Sequence, residues 1–332
     1  MAIPLRQIFS RYTGTLRSWK WVYQINNLLH RRQLRHNRPL YQQYGLERSI
    51  YSSIGAKDFP PTERQQRPWL DQPDALERLE AHPEFDSFSP ALQESMRGFV
   101  RDGYLVLPGF YSAKEVEQLD TEIEQLLSDG TVVFNFTGRK IMDAHTSSAL
   151  IDRQYYRNAE LIQLLEFLMG RPVVPFQSIN FRTGSEQRAH SDSIHMMTQP
   201  EGYLIAAWTA LEATGPDNGA LFYYPGSHRL PILTCEDYDA GHTRYRLGER
   251  SYQKYEEAIE ALIEREGLEK RVFHAQPGDV FIWHANLLHG GSPIGRPGSS
   301  RRSMVAHYFC EGVICYHEIS QRPALLKPGS SQ

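Results

Sequence analysis

The stretch from Asp279 to Gly291, DVFIWHANLLHGG, decides how the chain folds. It opens on β-branched and aromatic residues, carries two histidines and closes on paired glycines. Short apolar runs bounded by Gly, Pro, Asn or Asp read as strands. The same texture recurs on either side of it after Arg171: VVPFQSINFRTG (173–184), YLIAAWTALEA (203–213), ALFYYPGS (220–227) and SMVAHYFCEGV (303–313). The C-terminal half therefore reads as a β-barrel or sandwich of cupin type, and the N-terminal half supplies helices that support one sheet. The fold class is mainly β with helical additions (α+β).

Upstream, YLVL (104–107) reads as a short strand and Pro108-Gly109 as its turn. Ser112 with Glu115 makes a capping box, and Val116, Leu119, Ile123, Leu126 and Leu127 form the apolar stripe of the helix that follows. A second helix covers NAELIQLLEFLMG (158–170) and closes at Gly170. Residues 50–98, rich in Pro, Asp, Glu and Gln, read as an irregular connector with short helices. The polar stretch of about residues 233–272 interrupts the strands as an insertion, the usual origin of a lid. The expected organisation is an extension over 1–95, a β-domain over 96–318 and a tail over 319–332.

The charge balance bounds the partners. Net charge is −3, which gives no support to a nucleic-acid partner. The three cysteines Cys235, Cys310 and Cys315 lack CxxC spacing, so neither a disulfide framework nor a structural zinc site is expected. No stretch approaches the length of a spanning helix, and a soluble cytoplasmic protein is the expectation. The charge is unevenly spread, however. Residues 1–38 carry eight Lys or Arg and no acid. Leu16, Trp19, Val22, Tyr23, Leu28 and Leu29 fall near helical spacing there. Such a segment packs on its own protein or on a second subunit, or lies on an anionic membrane surface.

The chemistry concentrates in QRAHSDSIHM (187–196). His190 and Asp192 are two residues apart, so on an extended strand both side chains project from one face toward one ion. The alternative is a polar turn that happens to hold histidine. His284 and His289 of the opening stretch each offer a third ligand. Two imidazoles and one carboxylate on one side of an ion form the facial triad of non-haem iron oxygenases. On the strand after them stand Arg301 and Arg302, and a guanidinium suits bidentate capture of a carboxylate. Adjacent strand residues point to opposite faces, so only one of the two reaches a pocket.

Taken in order, HSD, AAWTALEATGPDNGALFYYPGSH, PGDVFIWHANLLHGGSP and RRSMVAHYF, with DGYLVLPGFYS upstream, resemble the phytanoyl-CoA dioxygenase family of Fe(II)- and 2-oxoglutarate-dependent oxygenases over about residues 95–312. The resemblance implies a double-stranded β-helix (jelly-roll, cupin-like) core. It implies that His190, Asp192 and His289 are the metal ligands. Arg301, six residues before His307, matches the arginine that pairs with the far carboxylate of 2-oxoglutarate, and Trp208 matches an aromatic of the cosubstrate pocket. A hydroxyl residue commonly stands two positions after the distal histidine; here Gly291 has that place and Ser292 is the serine. The implied reaction uses Fe(II), 2-oxoglutarate and O₂, releases succinate and CO₂, and hydroxylates an aliphatic C–H. The presence of Asp192 favours hydroxylation or desaturation over halogenation.

The substrate expected is a small polar or acyl metabolite, with His195 and Arg182 as candidate contacts. His274 and His307 are expected to be structural. Two rival readings use the same residues: a non-catalytic metal- or ligand-binding β-helix protein, and a Zn-dependent hydrolase.

Overall fold

The computed structural model describes residues 18–59, 66–135 and 137–326. Leu16, part of the expected basic helix, lies outside them. Among the described residues, twelve strands form three antiparallel sheets. They are β1 (Tyr104–Leu107), β2 (Lys140–Met142), β3 (Val173–Phe181), β4 (Met197–Gln199), β5 (Leu204–Ala210), β6 (Leu221–Tyr223), β7 (Arg271–Phe273), β8 (Val280–His284), β9 (His289–Gly291), β10 (Ser303–Cys310), β11 (Ile314–His317) and β12 (Arg322–Pro323). The large sheet has the order β1-β8-β5-β10-β3-β2, and the small sheets have the orders β7-β6-β9 and β12-β11-β4. This is the double-stranded β-helix: the sequence strands lie where expected, and DVFIWHANLLHGG is two strands, β8 and β9, joined by a turn.

Alternation along the strands builds two cores from one sheet. In β8, Val280 and Ile282 pack toward the helices, while Phe281 and Trp283 face the barrel interior. In β10, Met304, Ala306 and Tyr308 take the helical side and Val305 the interior. Fully burying a side chain the size of Phe281 contributes roughly 1.5–3 kcal/mol.

Seven helices concern the argument: α1 (Lys20–Leu29), α2 (Asn37–Gln43), α3 (Ala75–Glu80), α4 (Pro90–Asp102), α5 (Ala113–Ser128), α6 (Ala159–Met169) and α7 (Ser251–Arg265). In α5, Glu115 N–H donates to Ser112 Oγ at 3.3 Å and Ser112 N–H donates to Glu115 Oε2 at 2.8 Å. Its stripe Val116, Leu119, Ile123 and Leu126 is buried under the large sheet. Asn158 caps α6 and Gly170 ends it. The connector expected over 50–98 is more ordered than its composition suggests. It contains most of the 13-residue α4, capped by Ser89, started by Pro90 and stopped by Gly103 at φ 82°.

The segment expected as an insertion holds α7, whose Tyr255, Ile259 and Leu262 pack on Ala189, Ile194, Phe222 and Leu288. Residues 34–59 pack Leu34, Tyr41, Ile54 and Phe59 on Met197, Ile314 and Tyr316. Residues 319–326, expected as a tail, continue into β12 and pair with β11.

Candidate metal centre and cosubstrate pocket

His190 and His289 face each other across a β-bridge, each backbone N–H donating to the other's carbonyl at 3.0 Å. Ser191 is extended (φ −103°, ψ 150°) and Asp192 opens a 3₁₀ turn, Asp192–Ile194. One extended residue is enough to bring Asp192 onto the same face as His190. Ligand atoms of His190, Asp192 and His289 all lie within 4.8 Å of one another, and all three residues are buried. Asp192 Oδ1 is 3.9 Å from His190 Nε2 and 3.8 Å from His289 Nε2.

The surrounding bonds set the chemistry of these atoms. His190 Nδ1 donates to Arg188 O and His289 Nδ1 to Leu287 O, both at 2.9 Å. That fixes the tautomer and leaves both Nε2 lone pairs facing inward. Trp283 Nε1 donates to Asp192 Oδ2 at 2.7 Å, and His307 Nε2 lies 3.5 Å from the same oxygen. His307, expected to be structural, is thus a partner of the carboxylate. Burial acts to raise the Asp192 pKa, but His289 and His307 outweigh it and the net direction is down. Burial, with His289 second, holds His190 well below the ordinary imidazole range. Two imidazoles and a carboxylate are the donor set that a divalent iron takes. Behind them, Tyr255 of α7 accepts a hydrogen bond from Ser191 N–H at 2.9 Å.

The triad opens into a cavity of about 660 Å³. Arg301 lines it and is 3% exposed. Its guanidinium lies over the rings of Phe181 and Trp208, 5.4 and 5.8 Å from their centroids, and Nη1 donates to Gly219 O at 3.3 Å. It has no ion-pair partner among the described residues, its Nε is buried without a hydrogen bond, and burial brings its pKa down to about 10. A buried cation in that state calls for an anion from outside, and a carboxylate fits it. Arg302 faces the other way and pairs with Glu212 at 3.1 Å and with Asp120. Trp208 lines the cavity beside Arg301.

Two expectations need correction. Arg182, expected as a substrate contact, does not line the cavity: it pairs with Asp120 at 2.6 Å and with Glu124, both on α5. Ser292 does not line the cavity either. Alternation puts position 291, not 292, on the His289 side of β9. Gly291 has no room there, because a Cβ on it would meet Ser185 Oγ at 2.4 Å. Ser185, from the loop after β3, brings its hydroxyl to the cavity instead. His284 is not part of the cluster; its Nε2 lies 3.2 Å from Asp71 Oδ2.

His195 lines the cavity, its ring 5.3 Å from His317 and 5.5 Å from Tyr252 of α7. Burial holds His195 at about 3 and His317 at about 4, so both rings are neutral near pH 7. Several lining residues went unnoticed in the sequence. Gln187 places its Nε2 3.1 Å from His190 Nε2 and 3.2 Å from the Tyr252 hydroxyl, and Lys140 Nζ donates to its Oε1 at 3.3 Å. Asn26 and Asn27 of α1 and Arg322 to Leu325 complete the wall. Residues of α1 and of the segment through β12 thus enclose the cavity together with the earlier strands.

The fold and this site define a non-haem iron, 2-oxoglutarate-dependent oxygenase, an enzyme class with Fe(II), 2-oxoglutarate and O₂ as its reactive set. The chain belongs to the phytanoyl-CoA dioxygenase (PhyH) family, whose model matches residues 99–303. It is 30% identical over 233 residues to the ectoine dioxygenase of Sphingopyxis alaskensis, covering 64% of this chain and 74% of that protein. The structure of EctD from S. alaskensis with bound Fe superposes with a TM-score of 0.52 at 27% identity, over 67% of this chain and 77% of that one. The non-heme alpha ketoglutarate dependent epimerase SnoN shares the fold, with a TM-score of 0.54 at 22% identity over 69% and 86%. No helix among the described residues is long and apolar enough to cross a membrane.

Proposed function

We propose that this enzyme hydroxylates an aliphatic C–H of a small polar or acyl metabolite while 2-oxoglutarate is decarboxylated to succinate. His190, Asp192 and His289 hold the iron, and Arg301 receives the far carboxylate of 2-oxoglutarate. The observation that carries this is the Arg301 guanidinium, buried without a carboxylate in the same cavity as three converging metal donors. Hydrolysis on a zinc ion gives no role to such a cation.

Iron and 2-oxoglutarate, when bound, supply the oxygen-activating chemistry. The chain supplies geometry. The Arg188 and Leu287 carbonyls aim the two imidazoles, and Trp283 holds one carboxylate oxygen so that the other faces the ion. Phe181 and Trp208 keep water from Arg301. His195 and His317, both neutral, offer hydrogen bonds without charge on the substrate side, which suits a hydroxyl, amide or acyl carbonyl. The three cysteines are free thiols and buried, in keeping with a reducing cytoplasm.

The test is anaerobic reconstitution with Fe(II) and 2-oxoglutarate. The expected result is a visible metal-to-ligand charge-transfer band in the wild type, lost in Asp192→Ala and weakened in Arg301→Ala. A folded protein that retains metal and shows no band overturns the assignment.

A further inference from the structure

Helix α1 is inverted relative to an ordinary surface helix. Its buried face is polar. Lys20 Nζ donates to Gln321 Oε1 at 2.6 Å, and Asn27 Nδ2 donates to Tyr51 O at 3.0 Å. Its outer face is apolar: Trp21, Ile25, Leu28 and Leu29 are 49, 49, 51 and 78% exposed. Their spacing of i, i+4, i+7 and i+8 makes one continuous stripe. Scattered exposed apolar residues need no explanation, but a contiguous stripe of four large ones marks a contact surface.

The charge around the stripe identifies the contact. One turn beyond Leu29 the chain presents Arg31, Arg32, Arg35 and Arg38, all exposed. No Asp or Glu occurs before Glu47. The first ion pair along the described residues is Arg48 with Asp58, so these four arginines have no carboxylate partner among them. A two-fold contact between copies through this stripe would bring a second arginine cluster into the assembly, and residues 18–46 of the second copy would supply no acid to meet either cluster. An anionic bilayer satisfies both features. Trp21 and the leucines enter the boundary between headgroups and acyl chains, and the arginines meet lipid phosphates.

We propose that α1 and its arginine-rich continuation dock the protein on an anionic membrane surface. The inference does not rest on the assigned reaction. It has a geometric consequence, because Asn26 and Asn27 of the same helix line the catalytic cavity. Docking places α1 between the bilayer, on its apolar face, and the cavity, on its polar face.

The experiment is co-sedimentation of the full chain with vesicles of phosphatidylcholine alone and of phosphatidylcholine mixed with phosphatidylglycerol, at low and high salt. The protein should pellet with the mixed vesicles, weakly with the neutral ones, and be released by salt. Trp21→Ser with Leu28→Ser should lower the partition coefficient by about tenfold or more. Arg31→Gln and Arg32→Gln should each lower it about fivefold. All these side chains face solvent, so 2-oxoglutarate turnover without vesicles should stay at the wild-type level. Wild-type protein that remains in the supernatant with anionic vesicles overturns the proposal. So does light scattering that finds a dimer dissociated by Trp21→Ser with Leu28→Ser, which would assign the stripe to a second copy.

Discussion

Trp283 donates its indole N–H to Asp192 Oδ2 at 2.7 Å, and so leaves Oδ1 as the oxygen that faces His190 and His289. The pair joins the large sheet, through β8, to the 3₁₀ turn that carries the carboxylate. Trp283→Phe keeps the ring and removes the bond. The expected outcome is a folded protein whose iron affinity falls by about 10- to 100-fold. Titration of the apoprotein with Fe(II) under anaerobic conditions reads this directly. Unchanged affinity would mean that the backbone turn and His307 orient the carboxylate without the indole.

Arg301 makes the opposite kind of prediction, because its bond partner comes from outside the chain. Arg301→Gln should raise the KM for 2-oxoglutarate on the order of 100-fold, the loss of a charge-assisted carboxylate pair. The variant also removes a buried cation that has no internal ion pair. The apoprotein should therefore melt no lower than wild type, while the thermal shift on adding 2-oxoglutarate shrinks. A strong loss of apoprotein stability would instead assign Arg301 to the fold.

How far the sequence discloses this site follows from the range of the interactions. The α5 helix is legible because its cap, Ser112 with Glu115, and its stripe are local. The grouping of His190 with Asp192 is legible because one extended residue separates them. The α4 helix has equally local signals, Ser89-Pro90 at its start and Gly103 at its end, yet the polar composition around it masks them. Lys140 reaches the cavity only because β2 pairs with β3 in a register that sets Lys140 opposite Phe181. His317 and Asn27 reach it only because β11 and α1 fold over the cavity from opposite ends of the chain. Nothing within a dozen residues of those positions encodes such pairings.

Ser185 and Gly291 show the same limit at atomic scale and give a test. The hydroxyl expected just after His289 is delivered by Ser185, which occupies the space a side chain at position 291 would need. Gly291→Ser should destabilise the protein by about 1–3 kcal/mol through overpacking. Adding Ser185→Gly should restore most of that loss and place a hydroxyl on β9. Thermal melts of the two single variants and the double variant decide it. If the double variant is as unstable as Gly291→Ser, the clash at position 291 lies with Glu186 or Gln187 backbone instead.

The last prediction concerns acid. His228 is 7% exposed, with Nε2 in reach of Val100 O at 3.3 Å and Nδ1 buried without a partner. Burial, with His284 second, brings its pKa down to about 3. The unfolded chain takes up a proton near pH 6.5 that the folded chain refuses until about pH 3. The folded state therefore binds fewer protons between those values. Stability that is complete above pH 6.5 falls as pH falls, by up to about 1.4 kcal/mol per pH unit for this one group. Burial of His317, whose pKa is about 4, adds a slope of the same sign over the upper part of that range. Urea midpoints at pH 7.5, 6 and 5 should decline in wild type. In His228→Gln the decline should be shallower by the share of one histidine, even if the variant starts from a lower stability at pH 7.5. An identical pH slope in the two proteins would show that His228 takes up its proton without unfolding.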